Sequence, residues 1–112
     1  MELLPKELRE ELPKLYRQEG TENPVVYLKF FFPAADWTWF VTEGQAEGSD
    51  FIFYGYVIGF ESEWGYFSLR ELEAVNVHHL TVERDLDFRQ DKFSVCLARW
   101  KEERGAAAIE NF

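Results

Sequence analysis

The chain of 112 residues has few of the side chains that metal and disulfide sites require, with one cysteine (Cys96) and two histidines. A single cysteine excludes a disulfide within the chain and fits a reducing compartment. His78 and His79 are adjacent, and neighbours on an extended chain point to opposite sides, so both cannot easily bind one metal ion. We therefore predict no metal, no cofactor and no catalytic residue, and we place the two histidines in a turn or at a sheet edge.

Long apolar runs and phosphate-binding motifs are also missing. The apolar run Phe51 to Phe60 is far too short to span a bilayer, and the N-terminus lacks the features of a signal peptide. No Gly-Lys-Ser/Thr loop, Gly-x-Ser-x-Gly turn or GxGxxG turn occurs. We expect a cytoplasmic protein without a membrane segment.

Basic residues are scarce, since 12 Lys and Arg stand against 21 Asp and Glu, for a formal net charge of −9. Binding to nucleic acid needs clustered Lys and Arg to neutralise phosphates, so this balance argues against direct nucleic-acid binding. It favours a basic protein as the partner.

Aromatic residues and acids are concentrated between Thr21 and Gly65. That stretch holds 13 of the 20 aromatic residues, seven acids and one base, Lys29. Strand-forming aromatic residues with an acidic fringe are typical of a stiff sheet that binds a basic surface. The predicted interaction surface consists of Asp36, Glu43, Glu47, Asp50, Glu61 and Glu63.

Hydrophobic periodicity predicts one α+β domain over residues 1–112, with a mainly antiparallel sheet flanked by helices. The connectors between the first three strands are too short for parallel crossovers. The predicted parts are a helical N-terminus over residues 1–20, interrupted by Pro13; a sheet over residues 25–88 with a short helix over 68–74; a C-terminal helix over 91–104; and a frayed tail over 105–112. The predicted strands are Val25–Phe32, Trp37–Thr42, Phe51–Phe60 and Thr81–Phe88, with a polar loop at Glu43–Asp50.

Three local patterns refine this prediction. Ser68 and Glu71 have the spacing of a capping box, which begins a helix. Phe93, Cys96, Leu97 and Trp100 follow helical spacing, which makes Cys96 a packed small hydrophobe. Gly55 and Gly59 share one strand face, which indicates a bulge or a close neighbour. A tryptophan of the adjoining strand, Trp37 or Trp39, is the expected neighbour, and a ligand is the alternative.

Glu61 and Glu63, followed by Trp64, are the strongest candidates for chemistry. Residues two apart on a strand lie on one face, about 7 Å apart. Paired carboxylates at such a separation can catalyse glycoside hydrolysis when one has a raised pKa. A small hydrolase or ligand-binding protein is therefore the alternative to a binding module.

Several segments together resemble the family of proteins of unknown function catalogued as 2958. They are Leu3–Arg9, Trp37–Glu43, Phe53–Gly59, Glu63–Leu72 and Glu83–Phe88. The resemblance covers about Leu3 to Phe88, and the helix that follows is less standard. It implies a small bacterial cytosolic protein, often encoded on plasmids, phages or integrative elements.

The charge and the resemblance together lead to a functional hypothesis. We expect a non-enzymatic interaction protein of a mobile element that binds a basic partner. The sharpest version is a nucleic-acid mimic that inhibits a basic, nucleic-acid-binding host defence protein, of the anti-restriction or anti-CRISPR type. The sequence leaves the oligomeric state open.

Overall fold

Helices lie near both ends of the chain and strands lie between them in the computed structural model, which describes the main chain of residues 1–110 and the side chains of residues 1–105. In chain order the elements are α1 (Lys6–Glu11), β1 (Val25–Val26), β2 (Leu28–Phe32), β3 (Trp37–Glu47), β4 (Asp50–Ile58), β5 (Ser62–Ser68), α2 (Leu69–Glu73), β6 (Asn76–Val77), β7 (Leu80–Thr81), β8 (Glu83–Arg84), β9 (Asp91–Lys92) and α3 (Phe93–Glu110). The predicted α+β class is confirmed.

Five strands form the central sheet in the order β5-β4-β3-β2-β8, and every neighbouring pair is antiparallel. Strands β2 to β5 are joined by short turns, so sequence neighbours are also sheet neighbours. Strand β8 then returns to pair with β2. The predicted antiparallel arrangement is confirmed, and it follows from connectors that allow only hairpins.

The first face of the sheet holds the larger core. Phe30, Trp39, Val41 and Phe53 lie on it and are buried. Leucines of the N-terminal segment and of α2 cover this face; they are Leu3, Leu4, Leu12 and Leu72. Burying apolar surface in this way is the main contribution to the stability of the domain.

The second face of the sheet is covered in part by α3. Phe40 lies on this face and packs against Phe93, with ring centroids 6.3 Å apart. Cys96 is buried in the same cluster, and the Trp100 indole donates a hydrogen bond of 3.1 Å to the Thr38 hydroxyl. The predicted apolar stripe of the last helix is confirmed.

A bulge interrupts the pairing of β3 with β4. Val41 pairs with Gly55 and Glu43 pairs with Tyr54, so Thr42 is an extra residue on β3. Strict alternation would place Glu43 on the first face with Val41. The extra residue turns Glu43 to the second face instead.

Gly55 lies opposite this bulge and is in close contact with main chain. A Cβ atom at Gly55 would lie 1.8 Å from the Phe40 carbonyl oxygen, a distance no side chain can tolerate. At Gly59 a Cβ would lie 2.5 Å from the Trp37 ring. The prediction that packing fills this face is confirmed, although only Gly59 is covered by a tryptophan and Gly55 is covered by backbone.

The N-terminal segment forms one helix only. Helix α1 ends at Glu11, and Pro13 follows, whose carbonyl accepts a hydrogen bond of 2.9 Å from the Gly44 N–H. Residues 15–20 form turns rather than a second helix, so the prediction of a helical segment up to Gly20 is wrong. Because proline cannot donate the bond that the helix needs, the chain leaves the helix there and is held against β3.

The predicted polar loop over Glu43–Asp50 is also wrong, since β3 continues through Glu47 and only a tight turn at Gly48 and Ser49 remains. Strand β5, which the sequence did not predict, pairs along its whole length with β4. Polar residues stay in these strands because their main chain pairs with β4, which outweighs their low strand propensity.

The predicted strand Thr81–Phe88 is mostly irregular, and only Thr81 and the pair Glu83–Arg84 belong to strands. His78 and His79 have φ angles of 52° and 69° and connect β6 to β7. Two central residues with positive φ are typical of a tight hairpin turn. The predicted turn position of the histidines is confirmed.

Helix α3 continues beyond its predicted end. It runs through Gly105 to Glu110, so the prediction of a frayed tail from 105 is wrong up to residue 110. Asn111 and Phe112 lie outside the described residues. A single glycine weakens a helix by only about 1 kcal/mol, which is too little to end it.

Replacing Gly55 by Ala should destabilise the fold by about 1–3 kcal/mol, because the new methyl group meets a main-chain oxygen that cannot move aside. Gly65 pairs directly with Gly55, and a Cβ there would meet no atom within 4 Å. Chemical denaturation should therefore show Gly65→Ala close to wild type. Equal midpoints for the two variants would contradict the close-contact argument.

Candidate functional site

The bulge in β3 buries a carboxylate on the second face of the sheet. The Glu43 side chain is 4% exposed. It accepts hydrogen bonds from the main-chain N–H of Tyr16 at 3.0 Å and of Gln18 at 2.5 Å. A buried carboxylate is costly unless hydrogen bonds compensate for lost water, and these two donors supply that compensation.

Gln18 holds the same loop on the sheet through its side chain. Its amide nitrogen donates to the carbonyls of Val25 and Thr42, both at 2.9 Å, and its amide oxygen accepts from the Val25 N–H at 2.8 Å. The loop over residues 16–22 is thereby tied to β1 and to the bulge. Tyr16 can enter the loop with a φ of 72° because these bonds hold the chain in place.

Three aromatic side chains of β4 and β5 lie beside Glu43. The rings of Tyr54 and Trp64 are nearly parallel, with centroids 5.9 Å apart, and those of Tyr54 and Tyr66 are 4.9 Å apart. Trp64 is supported from α3 by Phe93, at 4.7 Å between centroids. The strands therefore present a wall of rings whose positions are set by cross-strand packing.

Tyr16 and Tyr66 both line the edge of this wall. Interaction with the Tyr16 phenol, followed by desolvation, raises the pKa of Tyr66 to about 12. Like any tyrosine, Tyr66 is neutral in the physiological pH range, and its side chain is 55% exposed.

The loop, the bulge and the ring wall enclose a cavity of about 320 Å³. We call it the Glu43 cavity; its lining residues are Tyr16, Gln18, Glu19, Gly20, Thr21, Glu22, Pro24, Thr42, Glu43, Tyr54, Trp64 and Tyr66. Three of them are acids, and none of the described residues that line it is basic. The cavity is thus negatively charged and aromatic.

Three of the six acids of the predicted interaction surface have partners within the fold. Glu43 lies inside the cavity, and Asp36 forms an ion pair with Arg104. Asp50 accepts hydrogen bonds from the N–H groups of Phe51 and Arg70. Desolvation alone would raise the pKa of Asp50, but these bonds outweigh it and lower the pKa. These three carboxylates thus have partners within the fold, although Asp36 remains exposed.

Glu47, Glu61 and Glu63 are exposed, as a surface role requires. Glu47 ends β3, whereas Glu61 lies in the turn at the opposite end of β4, about 30 Å away by strand rise. Glu63 pairs with Val57 on the first face, and Trp64 pairs with Tyr56 on the second. Glu63 and Trp64 therefore lie on opposite faces, and neither Glu61 nor Glu63 lines the cavity that Trp64 lines.

Other candidate groups have structural surroundings. Cys96 is buried, and its burial raises the pKa of the thiol, as expected of a packed side chain. Among the described side chains, no group of three or more His, Cys, Asp or Glu residues is placed to hold a metal ion. No helix within residues 1–110 is long and apolar enough to cross a membrane.

A family model described as "Protein of unknown function (DUF2958)" matches residues 3–107. The chain belongs to this family. The resemblance seen over Leu3 to Phe88 thus extends into α3, so the last helix of this DUF2958 protein is part of the family pattern. Searches of curated proteins and of solved structures found no match.

Sequence reasoning did not predict the Glu43 cavity. The sequence predicts a helix at its loop residues, Tyr16 and Gln18, and predicts only a strand position for Tyr54. Two features of the sequence point to it. Gly55 indicates the bulge, and Tyr54, Trp64 and Tyr66 lie on the same face of the sheet once β5 is paired with β4. Strand pairing was needed to join them.

Replacing Glu43 by Gln should lower the free energy of unfolding by about 1–3 kcal/mol, because one of the two loop N–H groups loses its acceptor. Amide hydrogen exchange at Tyr16 and Gln18 should accelerate. Glu47→Gln, an exposed change on the same strand, is the matched control. Unchanged exchange at both amides would show that Glu43 does not hold the loop.

The tyrosine titration should reveal the contact between Tyr16 and Tyr66. The raised pKa favours the neutral phenol in the folded state, so its stabilisation is complete below about pH 10 and is lost as the pH rises towards 12. In an NMR titration of labelled tyrosine, Tyr16→Phe should move the pKa of Tyr66 towards 10. Tyr27→Phe is the control. An unmoved Tyr66 pKa in Tyr16→Phe would refute the contact.

Proposed function

We propose that this DUF2958 protein is a non-enzymatic interaction protein of the cytoplasm that binds a basic protein partner. The observation that carries the proposal is the uneven use of charge. The protein has 21 acids and 12 bases, and several of the bases are already paired within the fold.

The paired bases lie around α3 and the edge of the sheet. Lys29 contacts Asp85 at 3.5 Å and Glu103 at 3.9 Å, and Arg99 contacts Asp91 at 3.0 Å. These contacts neutralise the bases locally, so they offer little positive charge to the surroundings. The surface field is therefore dominated by acids.

Three of the acids without an ion-pair partner lie on β3, on β5 and in the turn between β4 and β5. Glu47, Glu61 and Glu63 are exposed, and none of them has an ion-pair partner among the described residues. Exposed charges of one sign steer association with an oppositely charged surface. Glu61 and Glu63 do not share a pocket with Trp64, which supports a binding function in preference to hydrolysis.

The sharper form of the proposal makes the chain a mobile-element product that occupies the nucleic-acid groove of a host defence protein. A mimic of this kind presents exposed carboxylates in place of a row of phosphates. Here Glu47 and Glu61 lie about 30 Å apart, and Asp36 and Asp50 have internal partners. Attraction of a basic protein surface is therefore the form that the geometry supports best.

Reversing Glu47, Glu61 and Glu63 to Lys should leave the chain folded and weaken partner binding. The immobilised chain would be used to capture proteins from cells that carry it, and binding of each captured protein would then be measured between low and physiological salt. Because screening shortens the range of exposed charges to about 10 Å at 0.1 M salt, wild-type association should slow as salt rises.

The matched control reverses Glu7, Glu73 and Glu102, which are equally exposed but lie on helices. The control changes the net charge by the same amount, so it separates a local surface from a general charge effect. Partner binding that is indifferent both to salt and to the strand reversals would overturn the proposal.

A further inference from the structure

The Glu43 cavity combines aromatic rings with carboxylates, which is the chemistry that recognises organic cations. Its walls come from Tyr54, Trp64 and Tyr66, and its buried end is Glu43. The fold itself does not supply a cation for this site, since no basic residue lines it within the described part of the chain.

The Glu43 carboxylate retains acceptor capacity. A carboxylate offers about four lone-pair sites, and the N–H groups of Tyr16 and Gln18 occupy two. The same two bonds hold the side chain in one orientation before any ligand arrives. Such pre-organisation reduces the entropy lost on binding.

The ring wall is equally fixed. Tyr54 lies between Trp64 and Tyr66, and Trp64 is held from behind by Tyr56 and Phe93. Aromatic faces carry negative potential and attract a cation within about 6 Å of the ring centre.

The mouth of the cavity is acidic and open to solvent. Glu19 and Glu22 are exposed at its rim, and Tyr16 is 63% exposed. The rim acids lie along the loop on one side, where they can contact the chain that carries an inserted side chain. A volume of about 320 Å³ admits a guanidinium or ammonium group together with its methylene stem.

We infer that the Glu43 cavity binds the cationic side chain of an arginine or lysine supplied by the basic partner. The cation donates hydrogen bonds to Glu43 while its stem lies against Tyr54 and Trp64, and Glu19 and Glu22 attract the flanking basic chain. This inference rests on the proposed function and names the place on the protein where the partner docks.

Peptide titrations test the inference without knowledge of the partner. The probes are acetylated and amidated Gly-Gly-Arg-Gly-Gly, its Lys counterpart, and its citrulline counterpart, which is a neutral isostere of arginine. Two-dimensional NMR of the labelled chain should show shifts for the Arg and Lys peptides at the Trp64 indole and at residues 16–22. The citrulline peptide should bind at least about tenfold more weakly, because it lacks the charge-assisted bond to Glu43.

Two variants should lower the affinity for the Arg peptide by about tenfold or more. Glu43→Gln removes the charge, and Trp64→Leu removes the ring while leaving the Glu43 hydrogen bonds in place. Their matched controls are Glu47→Gln and Phe60→Leu; Phe60 is 96% exposed in the β4–β5 turn and does not line the cavity. Both controls should bind like wild type.

Several outcomes would overturn the inference. They are equal binding of the citrulline and arginine peptides, shifts confined to residues away from the cavity, and wild-type affinity in both Glu43→Gln and Trp64→Leu. Tetramethylammonium is the probe for a small free cation. If tetramethylammonium binds more tightly than either peptide, the ligand of the cavity is a small quaternary amine and not a side chain of the partner.

The outcome also separates this inference from the proposed function. If the peptides fail to bind while the strand reversals still weaken partner capture, the cavity assignment is wrong and the proposed function remains. If the peptides bind but no captured protein shows salt-sensitive association, the cation site remains and the proposed function is wrong.

Discussion

The extra residue at Thr42 is the constraint on which the rest of the site depends. It brings the Phe40 carbonyl against Gly55, where any side chain would collide, and it turns Glu43 away from the larger core. Without it, a carboxylate would lie among the apolar side chains of the first face, where desolvation would be very costly. The bulge thus protects the core and places a negative charge on the second face.

The second face is divided between two kinds of cover. Helix α3 covers the half around Phe40 with apolar side chains, and the loop over residues 16–22 covers the half around Glu43 with main-chain N–H groups. The loop leaves a gap that a helix would have filled. Since the aromatic residues next to that gap are fixed by β4 and β5, the gap is a shaped cavity.

The errors in the sequence prediction have physical causes that can be traced to individual residues. The polar stretch from Glu43 has low strand propensity, yet β4 pairs with it and keeps it extended. Thr81 to Phe88 alternates like a strand, but only Glu83 and Arg84 pair with β2 as strand residues. Gly105 is a typical helix terminator in sequence, whereas α3 continues through it. In the two strand errors the presence or absence of a neighbouring strand decided the structure, and in α3 the cost of one glycine was too small to end the helix.

The sequence by itself determined the α+β class, the antiparallel sheet, the capping of α2 by Ser68 and the packed stripe of α3, because local periodicity and short connectors specify these features. Only the tertiary structure decided which acids face solvent and which face a cavity. That choice depended on one bulged residue and on two main-chain donors from a distant loop, and contacts between residues more than 20 positions apart leave no periodic signal.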